Sequence, residues 1–112
     1  MVDPQLKRGL LDACVLSLLR RGDSYGYQLI KDISPYIDVS ESTLYPILRR
    51  LEAAGGLTAY PVGDNGRLRE VLRCPPGGLK QIDAFLEGWT EIQRVYEFVK
   101  ECAGDDAERV SQ

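Results

Sequence analysis

The sequence predicts a mainly α-helical chain with one β-hairpin and a long C-terminal helix, and three observations lead there. Apolar residues recur at helical spacing in three successive segments between residues 4 and 52. Two strand-like runs then flank Gly63-Asp64-Asn65-Gly66, whose Asn-Gly step favours a hairpin turn. Beyond Pro75-Pro76-Gly77-Gly78 an apolar seam alternates spacings of three and four, the mark of a heptad repeat. The division this implies is a domain over residues 1–76, a helical arm over 77–104 and a disordered tail over 105–112.

The first helix is expected over residues 4–21. Leu6, Leu10, Ala13 and Ser17 trace one stripe on it, and Leu11, Cys14, Val15, Leu18 and Leu19 another. Apolar residues therefore cover well over half its circumference, so the helix has two sides to bury, one in its own core and one elsewhere. Gly22-Asp23 ends it, and Asp23 or Ser24 caps a second helix over residues 25–33, where Tyr25, Leu29 and Ile33 recur at four-residue steps before Pro35 closes the segment. The third helix, over residues 40–52, is capped by Ser40 or Ser42 and buries Leu44, Ile47, Leu48 and Leu51. Pro46 is tolerated because it falls in or just after the first turn, where few N–H groups have helical partners. Ala53-Ala54-Gly55-Gly56 stops this helix, and the strand-like runs follow at 57–62 and 67–74. The last helix is expected over residues 79–103, with Ile82, Phe85, Trp89, Ile92, Tyr96, Val99 and Ala103 on its seam. A seam of about three heptads exceeds what a small three-helix core covers, which makes it a dimerisation arm. The alternative is that it packs wholly back on its own domain.

With 112 residues, 44% hydrophobic and 28% charged, the chain suits one soluble domain with a modest core. No apolar run approaches the roughly 20 residues of a membrane span, and the N-terminus lacks a signal-peptide layout. The expected setting is cytoplasmic, with no membrane partner. There is no histidine, and Cys14, Cys74 and Cys102 are too widely spaced to form a zinc site, so neither metal nor cofactor is expected. Cys14 and Cys102 read as small apolar residues on helical faces, while Cys74 beside a loop is the candidate for thiol redox chemistry. Without histidine the commonest general base and the usual triads are missing, and no P-loop, GxGxxG or nucleophile elbow is present. An enzyme is therefore not expected. The net charge of −3 hides an asymmetry: residues 1–74 carry 10 Lys/Arg and 9 Asp/Glu, whereas residues 75–112 carry 4 and 8. Affinity for DNA follows the face presented to phosphate rather than the overall charge, so the basic clusters of the first two thirds keep that partner open.

Three helices followed by a hairpin is the winged helix-turn-helix order, with the third helix as recognition helix. Within it, Tyr25-Gly26-Tyr27-Gln28-Leu29-Ile30, then Ser42-Thr43-Leu44-Tyr45-Pro46-Ile47-Leu48-Arg49-Arg50-Leu51-Glu52, then Gly66-Arg67-Leu68-Arg69 resemble PadR-family transcriptional repressors. The single C-terminal helix resembles that of the family's short subgroup. The resemblance implies a homodimer built by the first and last helices, whose two winged domains address a pseudo-palindromic operator in double-stranded DNA. It also implies a central pore in which a tryptophan of the last helix binds planar aromatic drugs, a place that Trp89 occupies here. The second wing strand departs from the family pattern. Family members often carry a basic and aromatic strand ending in Leu-Thr, but here Arg69-Glu70-Val71-Leu72-Arg73-Cys74 precedes two prolines and puts an acid near the wing.

The candidate DNA-binding residues are Tyr25, Ser40, Ser42, Thr43, Tyr45, Arg49, Arg50, Asn65, Arg67 and Arg69. A recognition helix reads base edges from its first turns and holds phosphate with short polar side chains and arginines. Ser42, Thr43 and Tyr45 offer hydroxyls at that end, and Ser40 serves there or as a cap. Arg49 and Arg50 are phosphate clamps, or else pair with Glu52 or Glu41 or stay solvated. The resemblance gives Tyr25 a backbone phosphate, with core packing as its other use. Asn65, Arg67 and Arg69 suit the minor groove or its flanking phosphates from a hairpin tip. The candidate dimerisation residues are Leu6, Leu10, Ile82, Phe85, Trp89, Ile92, Tyr96 and Val99. Trp89, with Leu6, Leu10, Ala13 and Phe85, is the candidate site for a small planar hydrophobic or cationic aromatic effector, because its indole combines a large apolar face with attraction for cations. The competing reading is a winged-helix protein-interaction module without strong DNA binding, which the heptad arm and Glu70 both suit.

Overall fold

A computed structural model describes residues 3–64 and 67–111 of the chain. The elements are α1 (Pro4–Arg21), α2 (Gly26–Ile33), α3 (Glu41–Ala53), β1 (Thr58–Asp64), β2 (Arg67–Arg73) and α4 (Pro76–Ser111). This is the expected winged helix-turn-helix order with a long C-terminal helix. The chain divides into two compact units, Met1–Ile82 and Asp83–Gln112.

In the first unit, α1 begins where Asp3 accepts hydrogen bonds from the backbone N–H groups of Gln5 and Leu6, with Pro4 at the first helical position. The helix buries Leu11, Val15, Leu16 and Leu19, which meet Leu29 and Ile33 of α2 and the predicted α3 stripe of Leu44, Ile47, Leu48 and Leu51. Leu57, Leu72 and Ile82 complete this core. The other α1 stripe stays open within the chain: Leu6 is exposed, and Leu10 and Ala13 are half-buried.

The cap of α2 differs from expectation. Tyr25, in extended conformation, takes the N-cap position and forms no side-chain cap hydrogen bond. Ser24 is drawn away by the hairpin: its N–H donates to the Leu72 carbonyl at 3.1 Å and its carbonyl accepts from the Leu72 N–H at 2.7 Å. Asp23 is drawn away too, since its carboxylate accepts from the Tyr60 hydroxyl and the Arg73 guanidinium. Strand pairing outcompetes capping here because it satisfies backbone groups on both segments at once.

Helix α3 ends in a Schellman motif. Gly55 adopts φ +80°, and the N–H groups of Gly56 and Gly55 donate to the carbonyls of Leu51 and Glu52. The hairpin pairs antiparallel from Thr58 with Arg73 to Asp64 with Arg67. Gly63 and Asp64, expected in the turn, therefore belong to β1.

Helix α4 starts at Pro76, ahead of the expected position, and continues to Ser111, past the expected stop at Ala103. Pro75 accepts hydrogen bonds from the N–H groups of Gly78 and Leu79, and proline suits the first helical turn. The glycines that read as a breaker lie inside that turn, where they allow close packing: a Cβ on Gly77 would stand 2.7 Å from the Gly55 carbonyl oxygen. At the far end Ala107, Glu108 and Arg109 favour helix, and Gly104 costs only about 1 kcal/mol against alanine. Ile82, expected on the dimer seam, is instead 4% exposed in the core of the first unit. The first turns of α4 thus serve the winged unit's core, and the solvent-facing seam begins further along. No described helix is long and apolar enough to cross a membrane.

Candidate nucleic-acid interface

Helix α3 begins with a knot of hydroxyls. Ser40 holds the N-cap position of α3, but its Oγ lies 3.0 Å from Ser42 Oγ and 3.2 Å from Thr43 Oγ1 rather than on a backbone N–H. All three residues are exposed. Ser40 therefore acts as a cap through backbone position alone, and the positive end of the helix dipole is left lined with groups that can donate to an incoming oxygen.

One turn further on, Tyr45 lies 43% exposed with its ring against the start of α2. A Cβ on Gly26 would approach the Tyr45 hydroxyl to 3.1 Å, so glycine at that position leaves room for the phenol. Tyr25 meets the wing from the same region: the Arg69 guanidinium lies over its ring, 4.2 Å from the centroid. Tyr25, Tyr45, Arg49 and Arg69, with Gly26, Tyr27, Leu48, Glu70 and Leu72, line one cleft of about 190 Å³. The start of α2, the outer face of α3 and strand β2 converge there.

The two α3 arginines, Arg49 and Arg50, part company. Arg50 pairs with Asp12 of α1 and so braces the helix against the core. Arg49 faces the wing and meets Glu70 at 3.0 Å and 3.4 Å through its two terminal nitrogens, and Glu52 at 3.3 Å. Hydrogen bonds that it donates to Glu70, and secondarily to Glu52, hold its guanidinium even more firmly protonated than usual. Among the wing candidates, Arg67 pairs through its backbone with Asp64 at the distal end of the hairpin, and Asn65 lies outside the described residues.

Sequence reasoning did not find the contributions of Gly26 and Asp12. Gly26 carries no pattern signal beyond being small, and Asp12 and Arg50 stand far apart in sequence. Glu70 was legible as an anomaly in the wing, but its partner was not. Asp23, Tyr60 and Arg73 form a further cluster that bridges the turn after α1 to both strands, and it was not anticipated either.

The second unit places Phe85 and Trp89 half-buried and stacked on each other, with centroids 5.5 Å apart and planes inclined by 14°. Ile92, Val95, Tyr96, Phe98 and Val99 of the same helix are all between 48% and 64% exposed. Cys102 is exposed, whereas Cys14 and Cys74 are half-buried and burial raises both thiols above their usual pKa. No cluster of metal-ligating side chains occurs among the described residues.

Residues 15–84 match the transcriptional regulator PadR-like family. Among solved structures, a transcriptional regulator from Clostridium thermocellum is 34% identical, covering 83% of this chain and 95% of its own with a TM-score of 0.76. A PadR family transcriptional regulator from Eggerthella lenta is 31% identical, covering 85% of each chain with a TM-score of 0.76. An uncharacterised protein of Lysinibacillus sphaericus is 30% identical over 107 residues, which is 90% of this chain and 97% of that protein. The solved relatives are transcriptional regulators and not enzymes. Family match, element order and wing together establish that this chain belongs to the PadR-like family of transcriptional regulators.

Proposed function

We propose that the protein is a cytoplasmic, homodimeric repressor that binds a pseudo-palindromic operator in double-stranded DNA and is relieved by a small planar ligand at the dimer interface. The observation that carries the DNA reading is the cleft where Tyr25, Tyr45, Arg49 and Arg69 converge beside the hydroxyl-lined start of α3. Phenol hydroxyls and guanidinium groups from three elements suit one backbone phosphate, while Ser42 and Thr43 stand where a recognition helix meets base edges. Ser40 supports that turn. Asn65 and Arg67, further along the wing, are proposed to reach the flanking groove. Arg50 takes a bracing rather than a clamping role, given its bond to Asp12.

The dimer reading rests on the exposed apolar residues of α4, namely Ile92, Tyr96 and Val99 with Val95 and Phe98, and on the open α1 stripe of Leu6 and Leu10. Apolar exposure on that scale along one helix marks an interaction surface. The effector reading rests on Trp89 and Phe85, whose stacked rings offer a planar platform, with Leu6, Leu10 and Ala13 proposed to line the same cavity in the dimer.

The test is fluorescence anisotropy of labelled duplex taken from the region upstream of the protein's own gene. With ~6–10 phosphates neutralised per dimer, affinity falls by roughly a thousandfold or more between ~50 and ~200 mM salt. Arg69→Ala weakens binding and lowers the log–log salt slope by about one per protomer. Salt-insensitive or absent binding would instead favour the protein-interaction module, a reading the engagement of Arg49 by Glu70 lends some weight.

A further inference from the structure

Glu70 is the residue that sets this wing apart, and its position is specific. It stands on β2 opposite Pro61 and presents both carboxylate oxygens to the two terminal nitrogens of Arg49, at 3.0 Å and 3.4 Å. That two-pronged geometry is the one by which a guanidinium grips a phosphate. Glu52 adds a second acid at 3.3 Å, so one positive charge faces two negative ones. With Arg50 committed to Asp12, Arg49 is the α3 arginine that lines the cleft beside Tyr25, Tyr45 and Arg69.

We propose that Glu70 is a phosphate surrogate carried by the wing, which occupies Arg49 in the DNA-free protein and must be displaced by a backbone phosphate when DNA binds. The inference rests on the DNA-binding reading above. The exchange is feasible because the pair is solvent-exposed, with side chains 57% and 47% accessible, and exposed pairs of this kind are weak. A phosphate entering the cleft keeps Arg69 as a second cation, which the carboxylate does not engage. Glu70 thus restrains affinity for every duplex and leaves the discrimination to contacts made elsewhere on α3 and the wing.

The decisive experiment is a double-mutant cycle on the full chain, read by anisotropy with a labelled mixed-sequence duplex of about 30 base pairs, long enough for two half-sites. Circular dichroism confirms that each variant is folded, as expected for substitutions at exposed positions. Glu70→Gln is expected to tighten binding by roughly three- to tenfold, the scale of releasing one exposed pair on each protomer. In an Arg49→Gln background the same substitution is expected to do nothing. An equal gain in both backgrounds would reveal a general charge effect and overturn the proposal. A loss of affinity in Glu70→Gln would make Glu70 a positioning residue for Arg49 and overturn it as well. If the wild type binds duplex and Glu70→Gln binds no more tightly, the proposal alone falls. If neither binds at low salt, the DNA reading falls and takes the proposal with it.

Discussion

Asp23 joins three parts of the winged unit with one carboxylate, which takes hydrogen bonds from Arg73 and the Tyr60 hydroxyl. The Arg73 hydrogen bond, and after it the Tyr60 one, hold the Asp23 carboxyl below its ordinary range, while the hydrogen bond to Asp23 pushes the Tyr60 phenol up. Because the folded pKa lies below the unfolded value of about 4, the contribution is complete above that value and is lost as pH falls through the folded pKa. Asp23→Asn is therefore expected to lower stability at pH 7 and to flatten the dependence of stability on pH below about 4. Urea denaturation at pH 7 and pH 3 checks this, and an unchanged acid response in the variant would count against it. Such clusters are what sequence conceals at this scale. Periodicity identified Ile82 as apolar but could not say which surface covers it, and Arg50 looked as free as Arg49 until α1 brought Asp12 alongside. Partners distant in sequence are set by packing, which leaves no mark on the local pattern.

The elements themselves were far more legible, because helical spacing and strand alternation are local properties. The α3 stripe was read residue by residue, and the Asn-Gly step located the hairpin. Ends were harder. Pro76-Gly77-Gly78 has the composition of a breaker, yet it forms the first turn of α4, since its glycines serve close backbone approach rather than a turn. Further along this helix, Phe85 already stacks on Trp89, and the indole is half-buried. If this pair is the floor of an effector site, planar cationic dyes quench Trp89 emission saturably. Phe85→Ala, which removes the supporting ring, weakens the dye's apparent affinity by about fivefold, a ring–ring contact being worth ~0.5–1.5 kcal/mol. Linear quenching indistinguishable from that of free tryptophan would remove the effector from the scheme.

At the scale of the whole molecule, the acidic C-terminal third and the basic clusters of the first two thirds fit the proposed division of tasks, one helix for self-association and one winged unit for phosphate. Ile92 and Val99, 48% and 58% exposed in the single chain, are expected to be covered in solution by a second copy. Light scattering after size exclusion should give the mass of a dimer. Ile92→Glu should shift it to a monomer by placing a charge in the apolar interface, while the far-UV helical signal of the winged unit persists. A wild type that runs as a monomer at micromolar concentration would overturn the homodimer. Within the winged unit, the paired backbone bonds between Ser24 and Leu72 act as a fulcrum for the hairpin. The base of the wing is clamped to the three-helix body, and what overhangs beyond Leu72 is a short lever. Glu70 and Arg69 both ride on that overhang, one gripping Arg49 and the other resting on Tyr25. Any tilt of the wing works both contacts in a single throw, so the latch on the recognition helix and the stack on α2 are mechanically ganged.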